Sequence, residues 1–260
     1  MSQIGTTVIA SGSNANCTVV HCGDRAIMID CGLSLRMLRQ RLAKSGISES
    51  WIKAILVTHE HSDHIGGLDV VARHLGIPVF VTRLCAEALH KKGLDTAYMT
   101  VINVCTDFEL AGFVLRAFPL QHDAVDPVGY IVAREAVKIG IATDFGKANA
   151  MTDYQLRDCS TLVVESNYDI NMLAASKREW RLKQRIIGPI GHLSNVDAAE
   201  MLPRIVTANT SNVILAHISG DCNKYDIAEN TARGALNGLG RSDIFLTCAL
   251  RESHIPTVWN

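Results

Sequence analysis

"VTHEHSDHIGG", residues 57–67, places three histidines, one aspartate and one glutamate in six consecutive positions, directly after an apolar run that reads as a strand. His59 and His61 sit two apart, a spacing that points both side chains the same way at an extended strand end. Asp63 and His64 follow as the chain turns toward Gly66 and Gly67, and a turn lets neighbours converge on one point without a regular element dictating their directions. Imidazole nitrogen together with carboxylate oxygen suits Zn²⁺, Mn²⁺ or Fe²⁺ and argues against a soft thiolate site.

More polar residues stand at the ends of other apolar runs. His122 lies in "FPLQHD", Asp144 closes "KIGIATD" and His217 closes "NVILAH". Polar side chains at strand ends that face one rim are how a scaffold assembles a site from distant segments.

Size and charge limit what such a site serves. The chain has 260 residues, 48% of them hydrophobic, which is ample for a sizeable core. Lys+Arg 25 against Asp+Glu 26 gives a formal charge of -1, so no global basic field advertises nucleic acid and a polyanion must be met by a local patch. The start, Met1–Ala10, has no basic stretch followed by a long apolar run, and no segment approaches the roughly 18–20 apolar residues needed to span a bilayer. A cytoplasmic protein without a membrane partner is expected. The eight cysteines, at 17, 22, 31, 85, 105, 159, 222 and 248, form no CxxC pair and read as buried reduced thiols.

Strands are expected at Thr6–Ala10, Thr18–His21, Ala26–Asp30 and Ala54–Thr58, as an antiparallel meander feeding one sheet, with a helix at Leu35–Lys44 whose basic face carries Arg36, Arg39 and Arg41. Beyond the histidine cluster the pattern gives helices at Leu68–Leu75, Leu84–Leu89, Val196–Val206 and Ile227–Leu236. Strands are expected at Val79–Val81, Phe113–Leu120, Val128–Ala133, Val137–Ala142, Thr161–Val164 and Asn212–Ala216. Strands in two groups, each followed by helices, point to an α+β fold of two mixed sheets packed face to face with helices outside, as one domain over 1–260.

"THEHSDH" resembles the HxHxDH motif of the metallo-β-lactamase superfamily, and His122, Asp144 and His217 fall in the order of its remaining ligands, from about Gly5 to Ser219. The resemblance implies a four-layer αββα sandwich and two divalent metal ions, zinc or manganese with iron as a further option. His59, His61 and His122 would hold one ion, Asp63, His64 and His217 the other, and Asp144 would bridge them. Asp30 in "MIDCG" matches the superfamily's first motif, an aspartate that orients the histidine loop. Carboxylates at 63 and 144 would repel one another without metal, whereas two cations reverse that logic. Two metals about 3.5–4 Å apart can share a hydroxide, which is the chemistry of hydrolysis. The flavodiiron oxidoreductases of this fold carry Glu where this chain has His61, so redox iron chemistry is disfavoured.

Two further segments narrow the substrate. Glu165 in "VVESNYD" and His192 in "GHLSNVDAAEML" resemble the Glu and His pair of the superfamily's tRNA 3′-processing nucleases. This pair, with Asp63, would be catalytic, and His192 would protonate the leaving alkoxide or hold the phosphate's charge. A helix N-cap is expected at Ser194 or Asn195. Upstream, Lys177, Arg178, Arg181, Lys183 and Arg185 would track a nucleic-acid backbone with Trp180 to stack on a base; an ordinary solvated helix face is the other reading.

The whole chain is similar to the bacterial YycJ/WalJ family of metallo-hydrolases, through "SGSNANCTVV", "LVTHEHSDHIGGL", "HDAVDPVGY", "IGIATDFG", "ESNYD", "WRLKQRI", "GHLSNVDAAEML" and "LAHIS". That resemblance implies a metal-dependent 5′-to-3′ exonuclease acting on DNA rather than RNA, tied to DNA repair. Ala15 stands where the family has Gly, Tyr168 where it has His, and "SGDCN" follows His217 in place of Ser-Lys-Glu-Asn-Asn. Between His122 and Asp144 there is no room for the arm of the bacterial tRNA-processing enzymes, nor between Asp144 and His217 for a β-CASP domain. The rival readings are a small-molecule phosphodiesterase acting on a cyclic or other small diester, and a binding protein that kept the fold and lost the chemistry. The filled ligand positions weigh against the second.

Overall fold

The longer apolar runs become mostly buried strands, and short, partly exposed strands lie at the sheet edges. In chain order these are β1 (Ile4–Ala10), β2 (Cys17–Cys22), β3 (Arg25–Ile29), β4 (Ile52–Leu56), β5 (Val79–Thr82), β6 (Met99–Ile102), β7 (Asp107–Leu110), β8 (Phe113–Pro119), β9 (Val128–Arg134), β10 (Val137–Ala142), β11 (Thr161–Glu165), β12 (Asn212–Ala216), β13 (Phe245–Cys248) and β14 (Val258–Trp259). The computed structural model describes residues 3–251 and 253–260, so Met1, Ser2 and Glu252, which the expected 1–260 domain includes, lie outside the described residues. One sheet has the order β14-β1-β2-β3-β4-β5-β6 and the other β13-β12-β11-β10-β9-β8-β7.

Both sheets are mixed. β1, β2 and β3 pair antiparallel as expected, but β4 runs parallel to β3, which ends the meander one strand early. The reason is the intervening helix α1 (Leu35–Lys44), since parallel neighbours need a crossover and a hairpin cannot supply one. In the second sheet β9 and β10 pair antiparallel, while β10, β11, β12 and β13 are parallel neighbours. Residues just after parallel strands therefore emerge at one sheet edge, which is where α/β proteins place ligands.

Contacts divide the chain into two compact units. The first holds the chain up to Ala117 with Ala124–Val128 and Leu250–Asn260, and the second holds Phe118–Asp123 and Gly129–Ala249. Each has its own apolar core. In the first, Ile9, Val19, Met28, Ile55 and Val57 meet α1 and α3 (Leu68–Leu75) through Leu38, Leu42, Leu68 and Val71, beyond the one-turn helix α2 (Ser62–Ile65). α4 (Arg83–Lys91) adds Cys85 and Leu89. Arg41 does not join the basic face expected of α1. It is buried, and its guanidinium donates to the Ile9 carbonyl at 2.9 Å.

In the second unit, α5 (Ala150–Leu156), α8 (Asn195–Ile205) and α9 (Tyr225–Gly238) pack Leu156, Met201, Leu202, Ala228 and Leu236 against Leu162, Val164, Val213 and Leu215. Two shorter helices, α6 (Ile170–Ala175) and α7 (Trp180–Ile187), lie between β11 and α8. All eight cysteines are free and seven are buried. Cys105, expected inside, is exposed because it occupies the polar turn ahead of β7 with φ of 60°. Among the described residues no helix is long and apolar enough to cross a membrane.

Candidate metal centre

The first unit builds the histidine loop around one buried carboxylate. Asp30 follows β3, and Thr58 follows the parallel neighbour β4. Asp30 Oδ1 accepts from the Thr58 amide at 2.8 Å, and the Thr58 hydroxyl reaches Oδ2 at 2.8 Å. His64 Nδ1 lies 2.7 Å from the same Oδ2 and must donate to it. With the Thr58 hydroxyl proton given to Asp30, its oxygen accepts from His59 Nδ1 at 3.0 Å. His61 caps α2, and its ring centroid stands 4.5 Å from that of His59.

The loop is clamped from both sides by backbone. The Asn16 amide donates to the Asp63 carbonyl at 2.8 Å, and the Cys31 amide to the His64 carbonyl at 2.7 Å. Gly32 is required here, because a Cβ on it would stand 1.8 Å from the Asp63 carbonyl oxygen. The Asn16 side chain places Nδ2 3.0 Å from Asp63 Oδ2 and 2.9 Å from His64 Nε2. Glu60, the remaining acid of the cluster, faces elsewhere and accepts from the Val125 amide at 3.1 Å.

In the second unit Asp144, Glu165 and His217 terminate the neighbouring parallel strands β10, β11 and β12, and His122 follows β8. Asp144, Glu165, His192 and His217 bring one ligand-type atom each within 4.8 Å of one another. Glu165 is fully buried. Its Oε1 accepts from His192 Nδ1 at 2.8 Å and His217 Nδ1 at 2.9 Å, and its Oε2 from the Phe145 amide at 2.9 Å. Asp144 Oδ1 is 3.1 Å from His217 Nδ1, and His122 Nδ1 donates to the Gly191 carbonyl at 3.0 Å. Ser194 caps α8 in a capping box with Asp197, so the helix end is satisfied without His192.

Three site residues share an unusual backbone. Asp30, Asp144 and His217 have φ of 60°, 59° and 55°. Non-glycine residues rarely adopt this left-handed conformation, which stores strain and clusters at functional sites. Here it turns the chain sharply off the end of β3, β10 and β12.

The donor set fits metal ions. His59, His64, His122 and His217 each have Nδ1 tied to the protein as a donor, which fixes the tautomer with the lone pair on Nε2, the arrangement of histidines that bind metal. Burial holds His122 below the ordinary imidazole value, favouring the neutral ring that ligates. Burial alone would push Glu165 up, but the His192 charge and the hydrogen bonds from His192 and His217 bring it below the usual carboxylate value. Burial likewise disfavours charge on His192, yet the Glu165 carboxylate outweighs it and raises its pKa.

The basic segment divides. Lys183 Nζ is spent on the Ala174 and Ser176 carbonyls at 2.7 and 2.8 Å, holding α7 to α6. Arg178 pairs with Asp221 at 3.2 Å, Arg185 pairs with Asp123, and Lys177 and Arg181 are exposed. The sequence reading did not single out Asn16, Thr58 or the buried amides around Glu165. Asn167 Nδ2 donates to the His217 carbonyl at 2.7 Å, and Asn223 Nδ2 to the Ser166 and Asn167 carbonyls at 3.0 Å each. Their only sequence signal is that three of them lie in the motif stretches "SGSNAN", "VTHEH" and "ESNYD", and Asn223 closes "SGDCN".

Comparison with known proteins agrees with this architecture. Residues 25–218 match the family model of the β-lactamase superfamily domain. The chain is 30% identical over 243 residues to exodeoxyribonuclease YycJ of Bacillus anthracis, covering 92% of each chain. It is 29% identical over 250 residues to exodeoxyribonuclease WalJ of Streptococcus pneumoniae, covering 94% of this chain and 92% of that one. The crystal structure of the metallo-β-lactamase fold protein YhfI from Bacillus subtilis superposes with a TM-score of 0.74 at 13% identity, covering 98% of this chain and 99% of the other, which shows the expected αββα fold. The protein therefore belongs to the metallo-β-lactamase superfamily, as a hydrolase of the family that contains YycJ and WalJ.

Proposed function

We propose that the protein is a dinuclear metal-dependent phosphodiesterase acting as a 5′-to-3′ exonuclease on DNA. In this reading the chain works as one catalytic domain without a β-CASP insertion or tRNA-gripping arm. The side chains that would hold the divalent ions are His59, His61, Asp63 and His64 of the first unit and His122, Asp144 and His217 of the second. Zinc or manganese is the metal expected of such nitrogen and oxygen donors. DNA is favoured over RNA as substrate because both relatives described above are named exodeoxyribonucleases, and a part in cytoplasmic DNA repair belongs to the same reading.

The observation that carries the reading is the environment of His192. Its Nδ1 is fixed on Glu165, while its side chain is 23% exposed against 4% for His217 and 3% for His122. A histidine anchored at one nitrogen and more exposed than its neighbours in a cluster of ligand-type side chains suits a role toward substrate rather than metal. Bound divalent cations supply Lewis-acid stabilisation of the attacked phosphoryl group and activate water. Glu165 orients His192, and His192 Nε2 then hydrogen-bonds the leaving oxygen and delivers its proton. Asp63 and Asp144 bring the anionic charge that makes the centre selective for cations. Trp180, Lys177 and Arg181 are exposed, and in this reading they would track the strand.

The test is incubation of the metal-loaded protein with 5′-labelled and 3′-labelled duplex DNA, beside Asp63→Ala and a bis-p-nitrophenyl phosphate assay. Stepwise loss from the 5′ end that Asp63→Ala abolishes supports the proposal. Cleavage of the small diester with DNA intact replaces it with a small-molecule phosphodiesterase.

A further inference from the structure

Arg185 differs from the other cations of the basic segment in what it is fastened to. Its Nε and Nη2 both meet Asp123 Oδ2. Asp123 is the residue after His122, and its other oxygen, Oδ1, stands 3.3 Å from His122 Nε2, the nitrogen that the proposed reading assigns to a metal. Arg178 and Lys183, by contrast, are bound to Asp221 and to backbone carbonyls of the α6 end.

The position of Arg185 is fixed from a second direction. The turn after α7 ends at Gly191, whose carbonyl accepts from His122 Nδ1. Gly191 admits no side chain, since a Cβ there would stand 2.3 Å from the Arg185 carbonyl oxygen and 2.2 Å from that of Ile186. Helix α7 and the His122 loop are thus locked together at two points. Despite this anchoring the Arg185 side chain is 62% exposed, while that of Asp123 is 19% exposed. A guanidinium has five N–H donors in a rigid fork, so the pair engaged by Asp123 leaves others for a ligand at the rim.

We propose that Arg185 is the phosphate clamp of the substrate site, gripping a non-bridging oxygen of the DNA backbone next to the scissile bond, and that Asp123 is the positioning residue that aims it. The proposal rests on the nuclease reading above. Asp123 presents a carboxylate where an incoming phosphate would otherwise be repelled, and Arg185 cancels that charge while keeping donors for the phosphate. Lys183 is then a structural strut rather than a substrate contact.

The experiment is a salt titration of binding, read by fluorescence anisotropy, between the metal-loaded protein and a short labelled DNA with hydrolysis-resistant phosphorothioate links. Arg185→Ala is expected to weaken binding roughly tenfold and to lower the slope of log affinity against log salt by about one, the contribution of a single phosphate contact. Arg185→Lys should keep the slope and recover part of the affinity, because it retains the charge without the fork. Asp123→Asn should raise KM for DNA more than it lowers kcat, with Asp123→Glu recovering most of the loss. Lys183→Ala should lower thermal stability and leave the salt slope alone. In turnover, the loss on DNA from Arg185→Ala should exceed that on bis-p-nitrophenyl phosphate by about an order of magnitude. DNA cut by the wild type, with Arg185→Ala binding at wild-type affinity and slope, would overturn the clamp and leave the pair as a tie between α7 and the His122 loop. A wild type that cleaves the small diester but neither binds nor cuts DNA would overturn the nuclease reading along with it.

Discussion

Glu165 serves His217 as well as His192: its Oε1 lies 2.9 Å from His217 Nδ1 and 2.8 Å from His192 Nδ1, so one buried oxygen orients two imidazoles. A carboxylate in this position fixes the tautomer and raises the basicity of a ligating histidine.

Glu165→Gln should therefore lose metal as well as activity. We expect roughly a 10–100-fold fall in metal affinity, measured by competition with a chelator, together with a drop in turnover. His192→Ala should keep its full metal content by mass spectrometry and lose about 10²–10⁴-fold in rate, the usual worth of a proton-transferring group. Loss of a metal equivalent in His192→Ala would instead make His192 a ligand.

Thr58→Val removes a buried hydroxyl and tests the histidine loop. It leaves Asp30 short of one donor and His59 Nδ1 without its acceptor. A loss of about 1–3 kcal/mol in stability is expected, with weaker metal binding. Thermal melts with and without chelator would show it, and an unchanged metal affinity would mean that Thr58 only packs.

Asn223→Ala breaks the amide network behind the Glu165 and His217 strand ends. The buried Ser166 carbonyl loses the Asn223 amide, that of Asn167 keeps only the Ser219 amide at 2.8 Å, and Asn195 loses its reciprocal partner at 2.8 and 2.9 Å. The expected cost is about 1–3 kcal/mol by urea unfolding. A midpoint equal to that of the wild type would show that water replaces the amide without loss.

His21 should make stability depend on pH away from the metal centre. Its ring is buried between Trp51 and Trp259, at centroid distances of 6.0 and 5.1 Å, and burial lowers its pKa from the ordinary imidazole value of 6.5. Above 6.5 the ring is neutral in both folded and unfolded chains and costs nothing. As pH falls through that value the unfolded chain binds the proton first, so stability declines until the lower folded-state value is reached. His21→Phe should show a shallower acid loss of melting temperature than the wild type. Parallel curves for the two proteins would rule out this contribution.

Much of the scaffold was legible because burial imposes periodicity. Val137–Ala142, Asn212–Ala216, Leu35–Lys44 and Leu68–Leu75 have the bounds expected from their apolar patterns. The short edge strands β6, β7, β13 and β14 were not anticipated, since a half-solvated strand of two to four residues carries no run long enough to read. The parallel pairing of β4 with β3 escaped for a related reason: local pattern reports that a segment is a strand and says nothing of the direction of its neighbour.

By itself the sequence determined the histidine cluster, the strand-end positions of His122, Asp144 and His217, and the membership these motifs announce, because ligand-type residues at strand ends are a local property. Only the tertiary structure decided what each side chain does there. It turned Glu165 toward two histidines, withdrew Arg41 into the core and Lys183 onto backbone carbonyls, and joined Arg185 to Asp123 across 62 positions of chain. Hydrogen bonds between distant segments depend on strand register and helix docking, which no stretch of residues encodes alone.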